Sequence, residues 1–128
     1  MNFLIDTQLA IWALFDDPRL SRTAQQILDA PENRFQFSVC SIWEIAIKRR
    51  LNRPDFQFDP REVREHLLRN GCEELTILSK HAVEVDSLPP IHKDPFDRLL
   101  IAQARVEGII LLTCDPVIAK YSGSIRKV

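Results

Sequence analysis

Two rhythms of apolar and polar residues alternate along this chain. "NFLID" (2–6) is a short apolar run closed by an acid, and "TQLAIWALF" after it repeats its apolar positions at helical spacing. "DDPRLS" reads as a turn, and Ser21 is placed to cap a helix over "RTAQQILDA" that ends near Pro31. "RFQFSV" (34–39) reads as a strand, "SIWEIAIKRRL" (41–51) as a helix and "NRPDFQFDP" as a loop. "REVREHLLRNG" (61–71) is an amphipathic helix closed by Gly71, where a left-handed residue is expected. "LTIL" (75–78) predicts a strand, "SKHAVEVDSL" a helix and "PPIH" a loop. "KDPFDRLLIAQA" (93–104) opens a helix that Gly108 ends, "IILLT" (109–113) is a second continuous apolar strand, and "PVIAKY" predicts a short helix before a final "SIRKV".

Strands that alternate with helices, and are apolar throughout rather than on one face, predict an α/β fold with a parallel sheet covered on both sides. In such a sheet the strand C-termini and the helix N-termini after them share one edge, where ligands bind. The pattern therefore gathers acids. Asp6 ends the first strand, Asp115 comes one residue after "IILLT", and Glu44, Asp94 and Asp97 lie at helix starts. Carboxylates brought close together repel unless protons or cations neutralise them. Oxygen-only ligands without histidine or thiolate suit Mg²⁺ or Mn²⁺ rather than zinc.

Each acid also has a plainer reading. Ser41-Ile-Trp-Glu44 matches a capping box, and Glu44 and Lys48 are spaced for an i,i+4 pair. Asp94 before Pro95 is a standard helix start, which gives Asp94 a structural role and puts Asp97 where an acid suits the helix dipole. Asp115 before Pro116 can cap the last helix. Asp6 can cap the helix that begins at Thr7, but an acid closing a buried strand usually has a partner. Taken together, five such coincidences on one edge are better explained by a site.

Composition narrows the classes. The 128 residues are 45% hydrophobic and 27% charged with a net charge of −1, the balance of an ordinary soluble domain. One domain is expected, with no repeat or linker. No apolar run nears the ~20 residues that span a bilayer and no leader opens the chain, so a cytoplasmic protein is expected. Cys40, Cys72 and Cys114 are too scattered for a disulfide framework or zinc site, and Cys40 and Cys114 read as buried free thiols. The net charge excludes nucleic-acid binding by bulk electrostatics but not through a local patch. "KRRLNR" offers one, with Lys48, Arg49, Arg50 and Arg53, although the same cations would complement a helix C-terminus.

These segments carry a resemblance. "LIDTQLAIWAL", "SIWEIAIK", "HKDPFDRLLIAQA" and "GIILLTCDP" occur in the order of a PIN-domain ribonuclease, and the chain resembles more narrowly a VapC-type toxin of a toxin–antitoxin pair. The resemblance spans essentially the whole chain and implies a PIN-like three-layer sandwich, with a central, mainly parallel sheet flanked by helices. It maps the family's acids onto Asp6, Glu44, Asp97 and Asp115, with Asp6 and Asp97 as metal ligands and Thr7 as the hydroxyl neighbour. Gln8 departs from the histidine or asparagine of many relatives, at a position that does not bind metal.

The resemblance implies metal-assisted hydrolysis of RNA phosphodiesters with Mg²⁺ or Mn²⁺ as cofactor. Candidate substrate contacts are Thr7, Lys48, Arg49 and His92, the last equally readable as a backbone-bonded loop residue. The implied partners are RNA, a VapB-like antitoxin whose basic side chain approaches the acids, and a second copy of the chain, with no membrane. Trp12 and Phe15 of the first helix and the apolar positions of the 61–71 helix are candidate dimer surfaces, Trp12 being the preferred anchor. Alternatives are an RNA-processing PIN nuclease without antitoxin, a phosphate-binding module and a receiver-like Mg²⁺ signalling domain. Neither phosphate-loop motif is present among only three glycines, and "RFQFSVCS" lacks the receiver's phosphoacceptor aspartate.

Overall fold

β1 (Asn2–Ile5) forms the centre of the sheet, and its three apolar residues Phe3, Leu4 and Ile5 are buried. A computed structural model describes residues 1–128. After β1 come α1 (Thr7–Leu14), α2 (Arg22–Asp29), β2 (Arg34–Ser38), α3 (Val39–Arg50), α4 (Pro60–Arg69) and β3 (Glu73–Leu75). The chain continues through α5 (Ser79–Val85), α6 (Pro95–Glu107), β4 (Ile110–Thr113) and β5 (Ile125–Lys127). The strands lie in the order β3-β2-β1-β4-β5 and all four pairings are parallel. The expected α/β sandwich is present. No helix is long and apolar enough to cross a membrane.

Alternation within the strands divides the core in two. Phe3, Ile5, Phe37 and Leu112 face Leu9, Ile11, Ile45, Val63 and Leu67 of α1, α3 and α4. Leu4 and Leu111 face Leu100, Ile101 and Ala104 of α6, with Ile118 and Tyr121. These two apolar layers cover the centre of the sheet on both sides, which is why β1 and β4 are mainly apolar, while the outer β3 and β5 carry exposed charged residues. Gly108 ends α6 in the left-handed conformation at φ 67°. From β1 the chain passes outward to β2, whereas β4 returns to the other flank of β1. The crevice outside the carboxyl ends of β1 and β4 is therefore the switch point where an open α/β sheet binds its ligand.

Three boundaries differ from expectation. The strand expected over 75–78 is Glu73–Leu75, because its partner β2 stops pairing at Ser38 and turns into α3, leaving Thr76 onward without a ladder. α3 begins at Val39, two residues early, capped by Ser38, whose hydroxyl accepts from the Cys40 amide at 2.9 Å. Ser41 thus lies inside the helix, and the capping box with Glu44 does not exist. "PVIAKY" holds only a 3-10 turn over Ile118–Lys120, and "SIRKV" supplies the edge strand β5.

Candidate metal centre

Asp6 is where β1 becomes α1. Its amide completes the ladder to Leu112 O at 3.0 Å, and its side chain Oδ1 accepts from the Leu9 amide at 2.7 Å as the cap of α1. The Thr113 hydroxyl at the end of β4 donates to the other oxygen, Oδ2. The residue is only 3% exposed. Burial drives its pKa up to about 6; the two hydrogen bonds oppose this and the nearby Glu44 and Asp115 charges add to it. The capping reading is correct, yet it accounts for one oxygen of the two.

Glu44 projects from α3 into the same crevice, also 3% exposed. Lys48 Nζ lies 2.5 Å from its Oε2, while Oε1 is buried with no hydrogen-bond partner. Lys48 is the expected i,i+4 partner, but it also reaches Asp94 Oδ2 at 3.0 Å and is only 12% exposed. Burial works against the ammonium, and the two carboxylates outweigh it, so its pKa is raised. Asp94 caps α6, accepting from the Phe96 amide at 2.9 Å. Burial pushes its pKa up, but Lys48 prevails and holds it below the usual carboxylate range.

Asp97, in the first turn of α6, has no such cation to itself. Burial, then the charges of Asp94, Glu44 and Asp6, push its pKa up to about 8. The His92 ring comes within 2.8 Å of its Oδ2 and 3.5 Å of Asp115 Oδ2, through Nε2, without alignment for a hydrogen bond to either. The Asp94 amide donates to His92 Nδ1 at 3.4 Å, which assigns the proton of the neutral ring to Nε2. Asp115 caps the turn after β4 by accepting from the Val117 amide at 2.8 Å, and its other oxygen faces His92.

Asp97 therefore belongs to two sets, His92–Asp97–Asp115 and Glu44–Asp94–Asp97, whose ligand atoms lie within 4.8 Å of one another in each set. The crevice brings Asp6, Glu44, Asp97, Asp115 and His92 to one edge. Thr7 also lies there, but its hydroxyl donates to Ser41 at 2.9 Å and ties α1 to α3. Arg49 stands at the far end of α3, half-exposed and 3.8 Å from Asp59.

Thr113 and Arg98 leave little trace in the sequence, and Lys48 is legible there only as the partner of Glu44 and a candidate substrate contact. Thr113 signals itself only as a hydroxyl closing an apolar strand. Lys48 joins Asp94 across 46 positions, a pairing that no local spacing encodes. Arg98 donates to Pro89 O at 3.0 Å and Tyr121 Oη at 3.1 Å, while Tyr121 Oη accepts from the His92 amide at 2.7 Å. Together they set the loop that presents His92. Among the thiols, Cys40 is buried and held up to about 12 by its burial and the neighbouring acids, while Cys114 is only half-buried. Trp12 is partly covered, with the Arg19 guanidinium 4.8 Å from its ring centre.

Solved structures of similar fold span nearly the whole chain. VapBC2 from Rickettsia felis, bound to a DNA fragment from their promoter, aligns with a TM-score of 0.72 at 13% identity, over 100% of this chain and 99% of that one. VapBC-1 from nontypeable Haemophilus influenzae gives 0.62 at 16% identity, covering 99% and 98%. A toxin–antitoxin complex from Klebsiella pneumoniae gives 0.67 at 19% identity, covering 97% and 95%. Among curated proteins, none matches. The sequence itself matches the PIN domain family over residues 3–124, which include every acid of the crevice. A parallel sheet with a carboxylate-lined switch point and a family match along nearly its whole length lead to one assignment: the chain belongs to the PIN domain family.

Proposed function

We propose that this protein is a Mg²⁺- or Mn²⁺-dependent endoribonuclease that acts as the toxin of a toxin–antitoxin pair. The observation that carries the reading is the unneutralised charge of the crevice. Lys48 answers Glu44 Oε2 and Asp94, but Asp97 is left with a pKa of about 8 and Glu44 Oε1 with no partner. Buried acids that need protons to coexist, with an unpartnered oxygen among them, fit a divalent cation and its preference for oxygen ligands. Asp6, Glu44, Asp97 and Asp115 would hold it. When bound, such an ion lowers the pKa of water and neutralises charge on a phosphate.

The chain's own residues would prepare the rest. Thr113 and the Leu9 amide fix both oxygens of Asp6, so that its carboxylate needs no reorganisation on use. Lys48 keeps Asp94 ionised and anchors Glu44 against α6. His92 would present Nε2–H between Asp97 and Asp115, where it can donate a hydrogen bond to a phosphate oxygen. No side chain serves as a covalent nucleophile.

Membership of the PIN family supports a nuclease, and the similar solved structures are VapBC or toxin–antitoxin complexes. That likeness supports a VapB-like antitoxin as partner, and the homodimer remains what the sequence resemblance implies. A carboxylate cluster readily accepts the planar fork of an antitoxin arginine. The test is brief expression in cells with sequencing of new RNA 5′ ends, beside cleavage by purified protein in Mn²⁺ or EDTA. Co-expression of the neighbouring gene should silence it. Cleavage that persists in EDTA or in Asp97→Asn would refute the metal reading, and failure of the neighbour to bind or silence would leave a nuclease that is not a toxin.

A further inference from the structure

Trp43 is 55% exposed, the more open of the two indoles, and it borders the acids rather than a remote face. It precedes Glu44 on α3 and packs edge-on against Phe96, with ring centres 5.1 Å apart at 75°. Phe96 lies between Asp94 and Asp97 in sequence, donates its amide to Asp94 Oδ1, and has Lys48 Nζ 5.6 Å from its ring centre. Its carbonyl also faces the Cys40 thiol at 3.6 Å. The indole is thus positioned through a single packed side chain from two of the crevice acids, with much of its surface open to solvent.

The same stripe of α3 continues through Ile47, Arg50 and Leu51, all exposed. Of Arg49, Arg50 and Arg53, only Arg49 has a carboxylate within 4 Å, which leaves two cations without an ion pair about two turns and more along the chain from the ring. Trp and Arg are enriched at protein interfaces as well, but cations without carboxylate partners on the helix that carries Glu44 favour a strand of nucleic acid, whose phosphates they would meet. An exposed ring with free arginines beyond it is the composition of a single-strand track, in which bases stack on aromatics and cations track the backbone.

We propose that Trp43 is a stacking platform for one unpaired base of a single-stranded RNA whose backbone passes the acid crevice. The proposal rests on the nuclease reading above. It adds a substrate requirement, since a base must be free of its duplex partner to lie on the indole.

The test uses the full chain in the Asp97→Asn background with Mg²⁺, which the nuclease reading makes silent. Trp12→Phe leaves Trp43 as the sole indole fluorophore, because the chain has two tryptophans. A short single-stranded RNA should quench its emission, and the duplex of the same sequence should not. Trp43→Ala should weaken single-strand affinity roughly 5- to 100-fold, with Trp43→Phe retaining most of it, and in the chain that keeps Asp97 the same Trp43→Ala change should leave Mn²⁺ affinity unmoved. Unchanged affinity with no quenching overturns the platform. So does a Trp43→Ala variant that changes only the mass in solution, which would make the stripe a contact between protein chains. Cleavage that survives Asp97→Asn counts against the metal centre alone, since quenching and affinity still report on Trp43.

Discussion

Removing the charge of Asp97 should stabilise the metal-free protein. The carboxyl is 15% exposed, makes no aligned side-chain hydrogen bond, and is held at a pKa of about 8 against 3.8 for the free group. An acid whose pKa is raised by folding holds its proton in the folded state alone between those values. Its contribution is therefore fully present below about pH 4 and is lost as pH rises through about 8. The gap between the two values, at about 1.36 kcal/mol per pH unit, sets a ceiling of about 6 kcal/mol. Water entry and rearrangement of the flanking acids recover part of that, leaving about 2–3 kcal/mol. An asparagine in its place would keep the shape without the charge. In EDTA, urea denaturation of Asp97→Asn against the wild type should show an advantage that widens by about 2 kcal/mol from pH 5 to pH 8. Saturating Mn²⁺ should reverse the order by stabilising only the wild type. An advantage that stays flat with pH, or a variant less stable than wild type at pH 8, would mean that Asp97 is ionised and already satisfied.

Lys48→Met should cost about 3 kcal/mol at pH 8, since it strands Glu44 and Asp94 together in a buried place. Asp94 has its pKa lowered in the fold, so its share is lost as pH falls, and the penalty measured by denaturation should shrink toward pH 4. Thr113→Val removes the donor to Asp6 Oδ2; stability should fall by about 1–3 kcal/mol, and calorimetric Mn²⁺ binding should require higher pH as the Asp6 pKa climbs above about 6. Arg49→Ala with Arg50→Ala should flatten the dependence of log affinity for single-stranded RNA on log salt by about 1.4, and an unchanged slope would remove that patch from the binding surface.

The element order was readable because burial on both faces leaves a simple record: apolar runs too short for helices, separated by helical periodicity. β1 and β4 declare themselves in this way. β3 does not, because it is an edge strand whose Glu73 and Glu74 are exposed, while the more apolar "LTIL" next to it attracts the assignment. The early start of α3 has a similar cause. Ser38 and Ser41 are both good caps by composition, and the choice falls to Ser38 because its hydroxyl also donates to Gln103 Oε1, 65 positions away on α6, at 2.6 Å. A local pattern cannot arbitrate between two caps when a distant helix decides.

The crevice was legible for a different reason. Asp6 and Asp115 follow strands and Asp97 stands in the first turn of a helix, positions that converge in a parallel sheet, so topology alone gathers those three. Glu44 was expected at a helix start but lies in the middle of α3 and reaches the crevice from farther along that helix. What topology does not encode is the allocation of charge within the group. Asp94 and Asp97 stand three residues apart on one helix start, yet Lys48 lowers the pKa of one while burial raises that of the other to about 8. The capping role of Asp94 is real and still incomplete, for the same carboxylate holds the lysine that steadies Glu44. One cation shared between two acids leaves Asp97 unanswered. That imbalance depends on where a single ammonium comes to rest, and it is what supports the proposed cation site over a row of helix caps.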